Sequence, residues 1–307
     1  MNILRMHRNE ARNKIPGGGI MTITIEPSGA SCGAIIRGID LSGKMTQADV
    51  AGLRSAWLQH QVIGIADQLL TIEQLERFAA TLGPDGTDPY IGSIPGHPRV
   101  VEVRREADET APVFAEAWHS DWSFLDTPPA GTLLYGKVIP PVGGDTLFAD
   151  QYAAYDALPD SMKAKIADLQ GIHSARRSYS PDGVYGKRDA GRSMAIRYSE
   201  AATATQLHPM VKKHPETGRA ALFVNFGYTI GIAGMSAVAA GELLNELFAH
   251  QASPRFVYRH RWTANLLTLW DNRCVLHTAT GGYQGHRRLL WRITIGDQAR
   301  AGDATAH

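Results

Sequence analysis

From Arg99 onward the apolar residues of this chain fall in short strand-like runs at 100–103, 132–138, 221–225, 266–270 and 289–295, with Gly- and Pro-rich turns between them. Runs so short, bounded by turn residues, predict an antiparallel β core. Helical periodicity is confined to a few places. Between 45 and 83 two amphipathic helices bracket a strand at 62–65. The first places Val50, Leu53 and Trp57 on one face. The second opens with the capping-box pattern Thr71 to Gln74, carries Leu75, Phe78 and Leu82, and stops at Gly83. Further helices are expected at 152–158, 161–169 and 236–249, the last opening on Ser236 and burying Leu243, Leu244, Leu247 and Phe248. The class is therefore mainly β with flanking helices. The stretch 176–206 mixes Gly, Ser, Asp, Arg and Tyr without a sustained period, and reads as a long loop of the kind that forms lids.

At 307 residues and 44% hydrophobic content, one elaborated domain over 21–298 is expected. A basic, Gly-rich disordered tail at 1–20 would precede it, with Met21 as an alternative start, and a short tail at 299–307 would follow. No internal repeat is visible. Lys and Arg (31) balance Asp and Glu (30), so no overall field favours nucleic acid or an anionic membrane surface. No apolar run approaches the roughly 18 residues a spanning helix needs. Two cysteines, Cys32 and Cys274, are too few for a disulfide framework or a thiolate zinc site, and a cytoplasmic location fits best.

Chemistry concentrates in Trp118-His119-Ser120-Asp121-Trp122. On a strand, His119 and Asp121 would share one face and the tryptophans the other. An imidazole and a carboxylate so placed need one more histidine to form the facial triad that leaves three positions of a non-haem iron open. His277 is the candidate, following Leu269-Trp270-Asp271-Asn272-Arg273, where an apolar strand ends in polar turn residues. A surface His beside a solvated Asp, and a hydrogen-bonded core histidine at 277, are the plain alternatives. The last strand puts Arg288, Leu290, Arg292 and Thr294 on one face, the two arginines roughly 13 Å apart at about 3.3 Å per residue. Lining a barrel interior, they would require anions from the protein or from ligands. As an exposed edge the same strand would leave Leu290 in solvent. Gly143-Gly144-Asp145-Thr146 is a tight turn with a hydroxyl at its exit.

Together these segments resemble the family of taurine dioxygenase and 2,4-dichlorophenoxyacetate dioxygenase, over about 23–297. The anchors are Trp118-His119-Ser120-Asp121, Thr127-Pro128-Pro129-Ala130-Gly131, Gly143-Gly144-Asp145-Thr146, His208-Pro209, His214-Pro215, Trp270-Asp271-Asn272-Arg273, and the spacing of His277 to Arg288 and Arg292. The resemblance implies a double-stranded β-helix (jelly-roll) barrel and an Fe(II)- and 2-oxoglutarate-dependent dioxygenase. It implies that His119, Asp121 and His277 bind iron, that Thr146 and Arg288 bind 2-oxoglutarate, and that Arg292 grips the anionic group of a small organic substrate. Asp88 falls where taurine enzymes carry a sulfonate-contacting histidine, Ala115 where they carry an Asn, and Tyr228 at an aromatic position of that pocket; taurine itself is disfavoured. Ser178 and Tyr179, in the expected lid, complete the substrate residues. The run 104–109 and Phe124-Leu125-Asp126 resemble aryloxypropionate-type enzymes. A biosynthetic hydroxylase or desaturase of an amino-acid-derived acid, and a non-catalytic anion-binding barrel, are the alternatives, and a homo-oligomer, dimer or tetramer, is open.

Overall fold

The computed structural model describes residues 23–86, 88–187 and 189–297, and the two expected tails lie outside these. An eight-stranded sheet forms the larger wall, in the order Thr24–Pro27, Ala34–Arg37, Val62–Ile65, Leu267–Asp271, Gly131–Val138, Arg288–Ile295, His97–Arg105 and Ser93–Ile94. Three smaller sheets complete the double-stranded β-helix: Val257–His260, Thr146–Asp150 and Val275–Ala279; Thr229–Ile232, Gln170–His173 and Gln206–Pro209; and the pair Val211–Lys213 with Ala220–Leu222. Among the described residues one pairing is parallel, Ala34–Arg37 against Val62–Ile65, because the helix Gln47–His60 supplies the crossover that a parallel pair needs.

Alternation along the central strands sorts the two faces. Leu133, Tyr135, Ile293 and Ile295 point outward and pack with Leu53, Trp57, Leu75, Phe78 and Leu82 from the helices Gln47–His60 and Ile72–Leu82. Each of these buried side chains contributes about 1.5–3 kcal/mol. Both helices are closed at their start by full capping boxes, Thr46 with Asp49 and Thr71 with Gln74. Gly83 is required by proximity rather than by its dihedral, since a Cβ there would lie 2.7 Å from the Gly296 carbonyl oxygen. The opposite face of the same strands carries Thr132, Leu134, Leu290, Arg288 and Arg292 inward, all buried. Arg288–Ile295 is paired on both sides, to His97–Arg105 and to Gly131–Val138, so it is not an exposed edge.

The strand expected at 221–225 ends at Leu222. Asn225 turns the chain instead, its side-chain oxygen accepting from the Tyr228 amide while its own amide donates to the Thr229 hydroxyl. Within 176–206 the structure forms a short helix, Arg176–Tyr179, and a 3₁₀ turn, Glu200–Thr203. The rest is irregular but pinned. Arg192 pairs with Asp189 and donates to the Pro112 carbonyl, and Ser193 donates to Glu109 through both its amide and its hydroxyl. Tyr179 stacks on Tyr90 with centroids 4.5 Å apart. No described helix is long and apolar enough to cross a membrane.

Candidate metal centre and adjoining cavity

His277 lies in the middle of the strand Val275–Ala279, and an isolated bridge pairs it directly with His119. Each histidine's amide donates to the other's carbonyl, at 3.0 and 2.8 Å, which brings the rings to 4.1 Å between centroids. Beyond the bridge the segment does not continue as a strand. It turns at Asp121, and Trp122 adopts a positive φ of 48°. The turn returns the Asp121 carboxylate to the histidines, with Oδ1 3.6 Å from His119 Nε2 and 3.7 Å from His277 Nε2. His119 and Asp121 therefore converge as expected, but by a turn rather than by strand alternation. Trp122, expected on the opposite face, lines the same cavity.

The donor set fits a divalent cation. His119 Nδ1 lies 2.7 Å from the Ala117 carbonyl, which can only accept, so Nδ1 carries a proton and Nε2 is the ring atom turned toward Asp121. Burial, with His119 as neighbour, lowers the His277 pKa to about 3, so that ring is neutral. Burial alone would raise the Asp121 carboxyl, but the neighbouring Arg292 guanidinium chiefly holds it far below its ordinary value. One potential ligand atom from each of the three residues lies within 4.8 Å of the others, and two imidazoles with a carboxylate is a donor set suited to Fe(II).

A hydrogen-bond relay that sequence reasoning missed fixes the carboxylate. Trp270 Nε1 donates to Asn272 Oδ1, Asn272 Nδ2 donates to the Thr132 hydroxyl, and Thr132 donates to Asp121 Oδ2 at 2.7 Å. Oδ2 is thereby occupied and Oδ1 is left facing the histidines. The relay depends on the register that places Trp270 opposite Thr132 on neighbouring strands 138 residues apart, which no local pattern announces.

Arg288 and Arg292 both open into this cavity, as the shared face predicted. Among the described residues Arg288 has one hydrogen bond, from Nη2 to the Gly144 carbonyl at 3.2 Å, and its buried Nε has none. Burial pulls its pKa below the ordinary arginine value, which Tyr283 and Asp145 offset only in part. Thr146, also lining the cavity, accepts at its hydroxyl oxygen from Trp262 Nε1 at 3.0 Å, which leaves the hydroxyl proton free to donate. The turn before Thr146 needs its glycines: Gly143 and Gly144 have φ of 66° and 70°, and a Cβ on Gly143 would lie 2.6 Å from the Gly282 carbonyl.

Arg292 is placed differently. Its Nη2 lies 3.0 Å from Asp121 Oδ1, an ion pair whose geometry falls short of a hydrogen bond, and its Nη1 lies 3.4 Å from Asp88 Oδ2. Its guanidinium carbon lies 4.9 Å from the Trp122 ring centroid. Tyr179 and Tyr228 line the cavity with Phe114, Trp122, Val103 and Ala115. Ser178 lines an adjoining recess beside Tyr185. Asp88 reaches the site through Arg292 rather than as part of the cavity wall.

A model of the taurine catabolism dioxygenase TauD, TfdA family matches residues 24–294. The chain is 33% identical over 288 residues to an (S)-phenoxypropionate/alpha-ketoglutarate-dioxygenase of Sphingobium herbicidovorans, covering 92% of this chain and 98% of the relative. It is 31% identical over 297 residues to an alpha-ketoglutarate-dependent 2,4-dichlorophenoxyacetate dioxygenase of Cupriavidus pinatubonensis, covering 91% and 99%. Among solved structures, a taurine dioxygenase from Burkholderia xenovorans superposes with a TM-score of 0.75 at 30% identity, covering 90% of this chain and 91% of that one. AAD-2 in complex with Mn(II) and N-oxalylglycine superposes with a TM-score of 0.73 at 30% identity, covering 90% and 98%.

Proposed function

The chain belongs to the TauD/TfdA family and is an Fe(II)- and 2-oxoglutarate-dependent dioxygenase, and from that premise we propose how its own residues divide the work. His119, Asp121 and His277 hold the metal. Arg288 and Thr146 bind the distal carboxylate of 2-oxoglutarate, and Arg292, with Tyr179, Tyr228 and Ser178, receives a small organic acid. The bound metal and cosubstrate supply the oxidation, in which 2-oxoglutarate, O₂ and a C–H bond become succinate, CO₂ and a C–OH group.

The observation that carries this assignment is the convergence of three potential ligand atoms beside a buried arginine with unused donors. A buried guanidinium without a carboxylate calls for an anion, and a fork of N–H donors beside a hydroxyl donor suits a carboxylate. Thr132 keeps the Asp121 carboxylate oriented, and the Ala117 carbonyl keeps His119 in the ligating tautomer. Phe114, Trp122, Tyr179 and Tyr228 exclude water and suit an apolar or aromatic body, in keeping with the aryloxyalkanoates named for two of the relatives. Both cysteines are buried and unpaired, which fits a reducing cytoplasm.

Anaerobic titration of the protein with Fe(II) and 2-oxoglutarate tests the assignment. A visible charge-transfer band is expected in the wild type and is expected to be lost in a folded His277→Ala protein; a band that survives that substitution overturns the ligand set.

A further inference from the structure

Arg292 is the cation assigned to the substrate's acid group, yet it is already flanked by two carboxylates. Asp88 and Asp121 lie 3.4 and 3.0 Å from its two terminal nitrogens. Even so, the pair is incompletely satisfied. Arg292 Nη2 and Asp88 Oδ1 are both buried without a hydrogen-bond partner, one a donor and the other an acceptor. Asp88 thus sets its charge against Arg292 with one oxygen uncompensated, a cost that a further anion at Arg292 would raise.

The charges point the same way. Asp88, Asp121 and Arg292 together carry one negative charge. A divalent metal, the 2-oxoglutarate dianion and Arg288 add one positive charge, so the loaded pocket is neutral before the substrate enters. Were Asp88 uncharged, the same pocket would carry one positive charge and would match a monoanion. With Asp88 ionised, a monoanion leaves a net negative charge behind aromatic walls, where screening is weak. Burial pushes the Asp88 carboxyl up to about 6 in spite of Arg292, so a second anion beside it costs either the repulsion or the uptake of a proton.

We propose that Asp88 is a specificity-determining residue: by setting its charge against Arg292 from behind the cavity wall it disfavours net anions, and it selects a substrate that offers an acceptor to Arg292 while carrying a compensating positive charge, entering without net negative charge. An acid that carries its own ammonium group is the simplest such molecule. The inference rests on the roles proposed above for the metal, 2-oxoglutarate and Arg292.

Matched pairs that differ only in the amino group test it, such as phenylalanine with 3-phenylpropionate and leucine with 4-methylpentanoate. Each is titrated anaerobically into the Fe(II)/2-oxoglutarate complex of wild type, Asp88→Asn and Asp88→Ala, reading the shift of the charge-transfer band. Quenching of tryptophan fluorescence in the metal-free protein gives a second readout through Trp122. In the wild type the amino acid of a pair should bind more tightly than the plain acid. In both variants the ratio should move at least tenfold toward the plain acid. Failure of the plain acids to gain in either variant, with the band intact, overturns the inference alone. Absence of the band from the wild type overturns the proposed function and this inference with it.

Discussion

His119, Asp121 and His277 at the cavity, and His214, Asp271 and Cys274 beside the end of the strand Leu267–Asp271, each gather three buried side chains of metal-binding type within 4.8 Å. In the second cluster every strong valence is spent. His214 Nδ1 accepts from the amides of Glu216 and Thr217, so Nε2 carries the proton and donates to Asp271 Oδ2 at 3.0 Å. Arg273 closes on both oxygens of the same carboxylate, at 2.8 and 2.7 Å. Burial holds the Cys274 thiol well above its ordinary pKa, so it stays protonated. In the first cluster the anchors lie on the far atoms, at His119 Nδ1 and Asp121 Oδ2, and the near atoms face one another beyond hydrogen-bond distance. Residue type alone does not separate the two clusters. The placement of hydrogen bonds does.

Substitutions within the triad should separate them most sharply. His119→Ala, Asp121→Ala or His277→Ala should abolish oxygen-dependent 2-oxoglutarate decarboxylation, since three protein ligands leave no spare. His214→Ala should leave iron stoichiometry near one per chain. Metal analysis of the purified proteins checks both statements, and loss of iron from the His214 variant would erase the distinction.

Asp271→Ala should instead strike stability. Removing one member of a buried, hydrogen-bonded ion pair costs about 3–5 kcal/mol, readable in urea melts. The effect should depend on pH. Burial raises the Asp271 carboxyl but Arg273 and His214 outweigh it and hold it at about 2, below the ordinary value near 4. A carboxyl depressed on folding stabilises the native state fully above its unfolded pKa and loses that contribution as pH falls through the folded one. The gap between wild type and variant should therefore be constant above about pH 5 and shrink from pH 4 toward pH 2. A gap that widens with acid would show that the pair is not what Asp271 contributes.

How far the sequence reached follows from the range of the interactions involved. Capping boxes, the alternation of Arg288–Ile295 and the Gly143-Gly144 turn are local, and all were legible. His119 and Asp121 were legible as a pair, although the turn at Trp122 was not, because a positive φ at tryptophan has no sequence signature. The contact of Asp88 with Arg292 and the relay through Thr132 join positions more than a hundred residues apart, and only the sheet register brings them together.

Arg288→Ala should rank next, weakening 2-oxoglutarate binding on the order of 100-fold, as expected for lost charge-assisted bonds in a dry site. Arg288→Lys should recover only part of that, because an ammonium group cannot reproduce the fork of a guanidinium. Equilibrium titration of the charge-transfer band measures both. Equal affinities in wild type and Arg288→Ala would move the cosubstrate to another cation.

The smallest effect belongs to Thr132, and it probes what distinguishes the open cluster from the saturated one. Its hydroxyl is the one side-chain donor hydrogen-bonded to the Asp121 carboxylate among the described residues, at 2.7 Å, and it in turn accepts from Asn272. Thr132→Val keeps the shape and removes the donor. Asp121 would keep its charge partners but lose the bond that holds Oδ2 away from the histidines, so metal affinity should fall about tenfold while the fold survives. Asn272 Nδ2 would lose its acceptor as well, and Thr132→Ser, which restores the hydroxyl, should return most of the affinity. Competition for Fe(II) with a chelator of known strength reads the change directly. Unchanged affinity in Thr132→Val would mean that the two histidines and Arg292 suffice to orient the carboxylate, and that the open valence at Oδ1 does not depend on the relay.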